Sequence, residues 1–137
     1  MIKALKVTMI TYAALGILFG LAFIFVPRQL GAMFGHEAGP ASVASLAAAL
    51  GVSFVAACVF LIIAARDPLK HILWVKYAIV FAILMLAAEL SSVIKGNVTL
   101  GQAGTTLIIH TIIAAALLAF YPWRTARSGA QAPSYKP

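Results

Sequence analysis

The sequence predicts an all-α membrane protein in which four transmembrane helices form an up-down-up-down bundle. The first observation is the composition: hydrophobic residues make up 64% of the chain, charged residues make up 9%, and the mean hydropathy is +1.05. Soluble globular domains carry about 25% charged residues, so that class is excluded. The second observation is a set of four apolar runs, each close to the roughly 20 residues that a helix needs to cross a bilayer. Short turn-forming stretches separate the runs, so consecutive helices are expected to be neighbours.

The first apolar run spans residues 5–26 and ends at Pro27. A cleaved signal peptide is the alternative, since Lys3 and Lys6 precede the run. However, the run exceeds the apolar core of a signal peptide, about 7–15 residues, and no convincing small-residue cleavage site follows it. We therefore expect a mature helix, followed by a Gly-rich loop over residues 27–40 that dips into the membrane interface.

The remaining three runs span residues 42–65, 72–94 and 104–121. Arg66-Asp67-Pro68 terminates the second span, because proline and charge both disfavour its continuation. Lys95-Gly96-Asn97 is a turn signal after the third span. Residues 1–123 are thus expected to form a single transmembrane domain, with residues 124–137 as a basic tail that is disordered or ordered by a partner.

The basic residues predict the orientation of the bundle, because positively charged flanks are retained on the cytoplasmic side. Eight of the ten lysines and arginines lie on the side of the N-terminus, namely Lys3, Lys6, Arg66, Lys70, Lys76, Arg124, Arg127 and Lys136. Only Arg28 and Lys95 lie on the opposite side. We expect both termini to be cytoplasmic in a bacterial-type inner membrane. Trp74, Tyr121 and Trp123 agree, since their amphipathic rings fall at the cytoplasmic headgroup level. The lipid bilayer is the expected partner, and nucleic acid is not.

Small residues form stripes along three of the spans, and helices in lipid associate through such stripes by close backbone approach. The stripes are Tyr12, Gly16 and Gly20 in the first span; Ser45, Ala49, Ser53 and Ala57, with Ala47 and Gly51 beside them, in the second; and Ala114, Ala115, Ala116 and Ala119 in the fourth. They predict tight helix contacts. The neighbouring helix can belong to the same chain or to another subunit.

Two ionisable residues lie inside the third and fourth spans. Glu89 is about 8 Å inward from Ile94, and His110 is about 9 Å inward from Gly104, at the helical rise of about 1.5 Å per residue. Consecutive helices carry them at similar depth in the outer half, so they can face each other if the helix rotations allow. The candidate ligand-binding residues are therefore this pair, Glu89 and His110, and their helix neighbours Ser92 and Thr106.

A carboxyl group in hydrocarbon is costly unless it is neutral or paired. A contact between Glu89 and His110 resolves that cost by sharing a proton. Such a pair can bind a polar head group, hold a quinone carbonyl, relay protons or contribute to a metal site, and equally it can serve only to join two helices. A metal would need a third ligand such as His36 or Glu37, without any recognised ligand spacing, so no metal site is predicted. No catalytic residue is assigned, and the sequence identifies no cofactor.

Several features together resemble the DoxX-like membrane proteins. They are the chain length, the Gly-rich stretch after Val26-Pro27, the small residues of the second span and the run Ala87-Ala88-Glu89-Leu90. The resemblance implies a four-helix bundle, and some members of that family are membrane subunits of quinone-linked sulfur oxidation or partners of redox complexes. No residue role is carried over from the family. The lone Cys58 excludes a disulfide within the chain and the four-helix enzymes that oxidise thiols.

Three functions are compatible with the sequence. The first is a small membrane subunit or accessory protein that packs against a larger membrane complex, since no catalytic constellation is present and an enzyme is not favoured. The second is a membrane protein that binds a small ligand or a quinone in an outer-side polar pocket. The third is a homo-oligomeric small transporter.

Overall fold

The computed structural model describes residues 1–33 and 41–123, and these form a bundle of four long helices with one short helix. The helices are α1 (Ile2–Phe25), α2 (Pro27–Met33), α3 (Ala41–Arg66), α4 (Ile72–Ile94) and α5 (Leu100–Phe120). Spans of α1, α3, α4 and α5 are each long and apolar enough to cross a membrane. The predicted fold class, an all-α membrane protein with four transmembrane helices, is confirmed. The basic tail, residues 124–137, lies outside the described residues.

The prediction of a loop directly after the first span is wrong over residues 27–33, because these residues form α2. Val26 leaves the helical conformation and ends α1, and Pro27 then starts the new helix. Proline suits a first helical position because the amide hydrogen that it lacks would have no partner there. Leu30 is buried and anchors α2 to the bundle.

The connection between α4 and α5 is fixed by a cap on each side. Gly96 has a positive φ of 73°, its N–H donates to the Val93 carbonyl, and the Asn97 N–H donates to the Ser92 carbonyl. This is the Schellman pattern that ends helices, and it agrees with the turn predicted here. Thr99 and Gln102 then form a reciprocal capping box. The box starts α5 at Leu100, four residues before the predicted start of the span.

Helices α1 and α3 pack most closely, and glycines make this possible. A Cβ added to Gly51 would lie 2.5 Å from the Gly20 carbonyl oxygen, and a Cβ on Gly16 would collide with the Cys58 sulfur. The Gly16 and Gly20 stripe therefore packs within the same chain.

The other small-residue stripes are divided between inner and outer faces. Ser45, Ala49 and Ser53 are exposed, as are Ala115 and Ala119, whereas Ala114 is buried. These exposed residues lie outside the buried core of the described bundle. Whether a further subunit covers them stays a prediction.

The bundle is packed unevenly along its length. We call the end that carries the N-terminus and the 67–71 connection the basic end. Leu5, Met9, Val75 and Leu117 are completely buried in this half, and the Lys6 ammonium donates to the Arg66 carbonyl at 2.6 Å, joining α1 to α3. Toward the opposite end the helices leave a cavity between them.

Candidate ligand-binding cavity

A cavity of about 350 Å³ lies between the four long helices. Along α4 it extends from Tyr77 to Ser92, which corresponds to about 22 Å of helical rise. Six aromatic side chains line it: Tyr12, Phe19, Phe23, Phe54, Tyr77 and Phe81. The cavity is therefore long, narrow and largely apolar.

The polar side chains of the cavity are concentrated on two of its four helices. Helices α4 and α5 contribute Glu89, Ser92, Gln102, Thr106 and His110. The lining residues of α1 and α3 are apolar apart from Tyr12 and the Cys58 thiol. All four residues predicted as ligand-binding thus line one cavity, although binding itself stays a prediction.

Glu89 and His110 face each other across the α4–α5 interface. The distance from His110 Nδ1 to Glu89 Oε1 is 3.3 Å, and the two side chains are only 14% and 16% exposed. The short connection makes α4 and α5 antiparallel neighbours, which sets the two residues at one level. His110 lies in the middle of α5, about 15 Å from Leu100, because the helix starts earlier than predicted.

The proton of the His110 ring can be placed from its contacts. Nδ1 lies 2.9 Å from the Thr106 carbonyl oxygen, and a carbonyl oxygen only accepts hydrogen bonds. Nδ1 therefore carries a proton, which is directed at the Thr106 carbonyl and at Glu89. The Thr106 hydroxyl donates to the Ala103 carbonyl at 2.9 Å. Thr106 thus supports the pair through its backbone.

Tyr12 completes the polar cluster and was not among the predicted site residues. Its ring meets the His110 ring edge to face, with centroids 6.3 Å apart, and only 8% of the residue is exposed. Tyrosines of membrane proteins usually lie at the interface, whereas Tyr12 lies near the middle of α1. That depth is the signal by which the sequence could have revealed it.

Two polar atoms of this cluster are buried without a hydrogen-bond partner among the described residues, Glu89 Oε2 and the Tyr12 hydroxyl. Leaving a buried polar group unsatisfied costs about 1–3 kcal/mol. The described residues alone therefore do not satisfy the hydrogen-bonding groups of this cluster. His36 and Glu37, considered as further metal ligands, lie outside the described residues.

Comparisons of the chain with models of known protein families, with curated proteins and with solved structures each give no match. The resemblance to DoxX-like proteins accordingly stays a prediction, and function has to be argued from the cavity.

Proposed function

We propose that this small integral membrane protein binds an elongated, mainly apolar small molecule inside the bilayer, with the polar group of that molecule at Tyr12, Glu89 and His110. The observation that carries the proposal is a cavity with a largely apolar lining that contains one cluster of buried polar atoms. Its volume of about 350 Å³ lies within the range of ligand pockets, about 300–1,000 Å³, which are mostly apolar with a few fixed polar groups. A quinone, suggested by the family resemblance, is one molecule of this general form.

The cavity also favours ligand binding over a purely structural role for the pair. Glu89 and His110 could join two helices without any cavity beside them. In a purely structural role, the buried polar atoms without a partner would destabilise the protein and serve no purpose. An accessory-subunit role keeps one supporting observation, the exposed small residues Ser45, Ala49 and Ser53, which would permit close approach of another helix. A homo-oligomeric transporter would need to exchange a ligand and to pack against a second copy. It would therefore depend on both the cavity and the exposed small residues.

Filling the cavity tests the proposal. Ala57 lines the cavity, whereas its neighbour Ala56 is exposed on the outer face of α3. We expect Ala57→Phe to exclude most of the bound molecule, because the phenyl ring occupies the space, and Ala56→Phe to leave binding unchanged. Native mass spectrometry of the gently extracted protein, with chemical extraction of retained small molecules, measures both effects.

Equal retained content in the wild type and both variants would overturn the proposal. The same spectra report the mass of the assembly. A stable complex with other membrane proteins would support the accessory-subunit role, and a monomer would count against it.

We further propose that the basic end faces the cytoplasm of a cell with a bacterial-type inner membrane. The support is the excess of lysine and arginine at that end. In this orientation the cavity reaches toward the outer leaflet.

A further inference from the structure

The neutral forms of the Glu89–His110 pair limit which polar head the cavity accepts. A net charge is expensive in a cavity surrounded by lipid-exposed helices, which favours a pair that is neutral as a whole. It can reach neutrality with an ionised Glu89 and a protonated His110, or with a protonated Glu89 and a neutral His110. The proton on Nδ1 is present in both forms, because the Thr106 carbonyl fixes it.

Both neutral forms leave one hydrogen-bond donor and one acceptor for a ligand. In the first form Glu89 Oε2 accepts and His110 Nε2 donates, and in the second form the roles are exchanged. Glu89 Oε2 is buried without a partner. His110 Nε2 takes no part in the two described polar contacts of the ring, since both involve Nδ1. The Tyr12 hydroxyl, also unpartnered, can act in either role.

From this pattern we infer that the cavity selects a neutral head group that both donates and accepts a hydrogen bond, a hydroxyl on a long apolar body. An ether, an ester or a quinone accepts only and leaves one atom of the pair unsatisfied, so the inference narrows the proposed ligands to those with a hydroxyl. A quaternary ammonium or a carboxylate adds a net charge to a neutral site. The inference rests on the proposed function, because it names the chemistry of the same ligand.

Four probes with one hydrocarbon chain test the inference: dodecan-1-ol, dodecyl methyl ether, dodecyltrimethylammonium and dodecanoate. They are titrated into protein in nanodiscs at equal mole fractions in the lipid, and binding is followed by the ¹⁵N signal of His110 Nε2. We expect dodecan-1-ol to bind about tenfold or more tightly than the ether, since hydrogen bonds to a charged partner are the stronger ones. The two ionic probes should bind more weakly than the alcohol.

Two substitutions at Glu89 sharpen the test. Glu89→Leu removes both carboxylate oxygens and should reduce the preference for the alcohol over the ether, because only His110 Nε2 and the Tyr12 hydroxyl then remain as partners. Folding is retained because an apolar side chain replaces a buried ionisable one. Glu89→Gln should retain the preference, since an amide also offers a donor and an acceptor. A role of Glu89 in helix packing alone would predict no change in probe preference in either variant.

The outcomes separate the inference from the proposed function. If all four probes bind equally well and Ala57→Phe excludes them all, the cavity binds apolar molecules and the inference about the head group is wrong. A preference for the cation or the anion overturns it as well. If no probe binds the wild type better than Ala57→Phe, both the inference and the proposed function fall.

Discussion

At the scale of single residues, the position of one proton decides what the polar cluster can bind. An isolated neutral histidine usually carries its proton on Nε2, but the 2.9 Å contact between His110 Nδ1 and the Thr106 carbonyl requires a proton on Nδ1. If the ring is neutral, this contact selects the less common tautomer. The consequence is that Nε2 is the ring atom available to a ligand.

The first prediction concerns this tautomer. Selective ¹⁵N labelling of histidine should show a protonated Nδ1 for His110, whether the ring is neutral or cationic. His71, in the connection between α3 and α4, serves as the reference, and His110→Gln assigns the signal by its loss. A neutral His110 ring with a bare Nδ1 and a protonated Nε2 would contradict the hydrogen-bond assignment and with it the donor–acceptor argument.

The depth of Glu89 could be read from the sequence, whereas His110 lies deeper than predicted because α5 starts at Leu100. The contact between the two residues could not be predicted. Counting residues from the ends of a span gives the level of each side chain. The rotation of a helix about its axis is normally read from an apolar stripe. Here that stripe is missing, because the lipid-facing sides, with Leu18, Val80 and Ile112 exposed, are as apolar as the core. Without that stripe, the sequence also could not show that Tyr12 faces His110.

At the scale of helices, α1 and α3 are joined through backbone contact at Gly20 and Gly51. The second prediction is that Gly51→Ala destabilises the protein by about 1–3 kcal/mol, the usual cost of overpacking. The added Cβ would meet a carbonyl oxygen, which cannot turn away as a side chain can. Thermal unfolding in detergent micelles measures the change.

Gly104→Ala is the matched control, since a Cβ there meets nothing within 4 Å. Alanine is the better helix former by about 1 kcal/mol, so this variant should be as stable as the wild type or more so. If Gly51→Ala behaved in the same way, α1 and α3 would have to be further apart than described.

The long helices were predictable and their ends only partly so. Composition and run length identify four spans because hydrocarbon thickness fixes a minimum length. The ends depend on local hydrogen bonds. The capping box of Thr99 and Gln102 extends α5 by a turn beyond its apolar run, and Pro27 starts α2 where glycine and proline content predicted a loop. In both places polar or turn-forming residues start a helix.

At the scale of the whole molecule, tight packing and positive charge coincide at one end. The completely buried Leu5 and Leu117 lie in the same half as Lys6 and Arg66, whose ammonium and carbonyl groups are joined. The cavity occupies the rest of the bundle's length and reaches Ser92 and Val98 at the opposite end. A ligand would therefore meet a closed base near the basic end and the more loosely packed helices beyond it.

The third prediction concerns the orientation of this asymmetric bundle, which can be tested at two exposed residues in its connections. Lys70 lies in the connection at the basic end and Asn97 in the connection at the opposite end. The buried Cys58 is first replaced by alanine. Asn97→Cys should then react with a membrane-impermeant maleimide in bacterial spheroplasts, whose inner membrane is intact. Lys70→Cys should react only after the inner membrane is permeabilised, because positive flanks are expected to be retained in the cytoplasm. The reverse pattern would invert the bundle and direct its cavity to the inner leaflet, and equal labelling of both would show that eight basic residues against two do not fix one orientation.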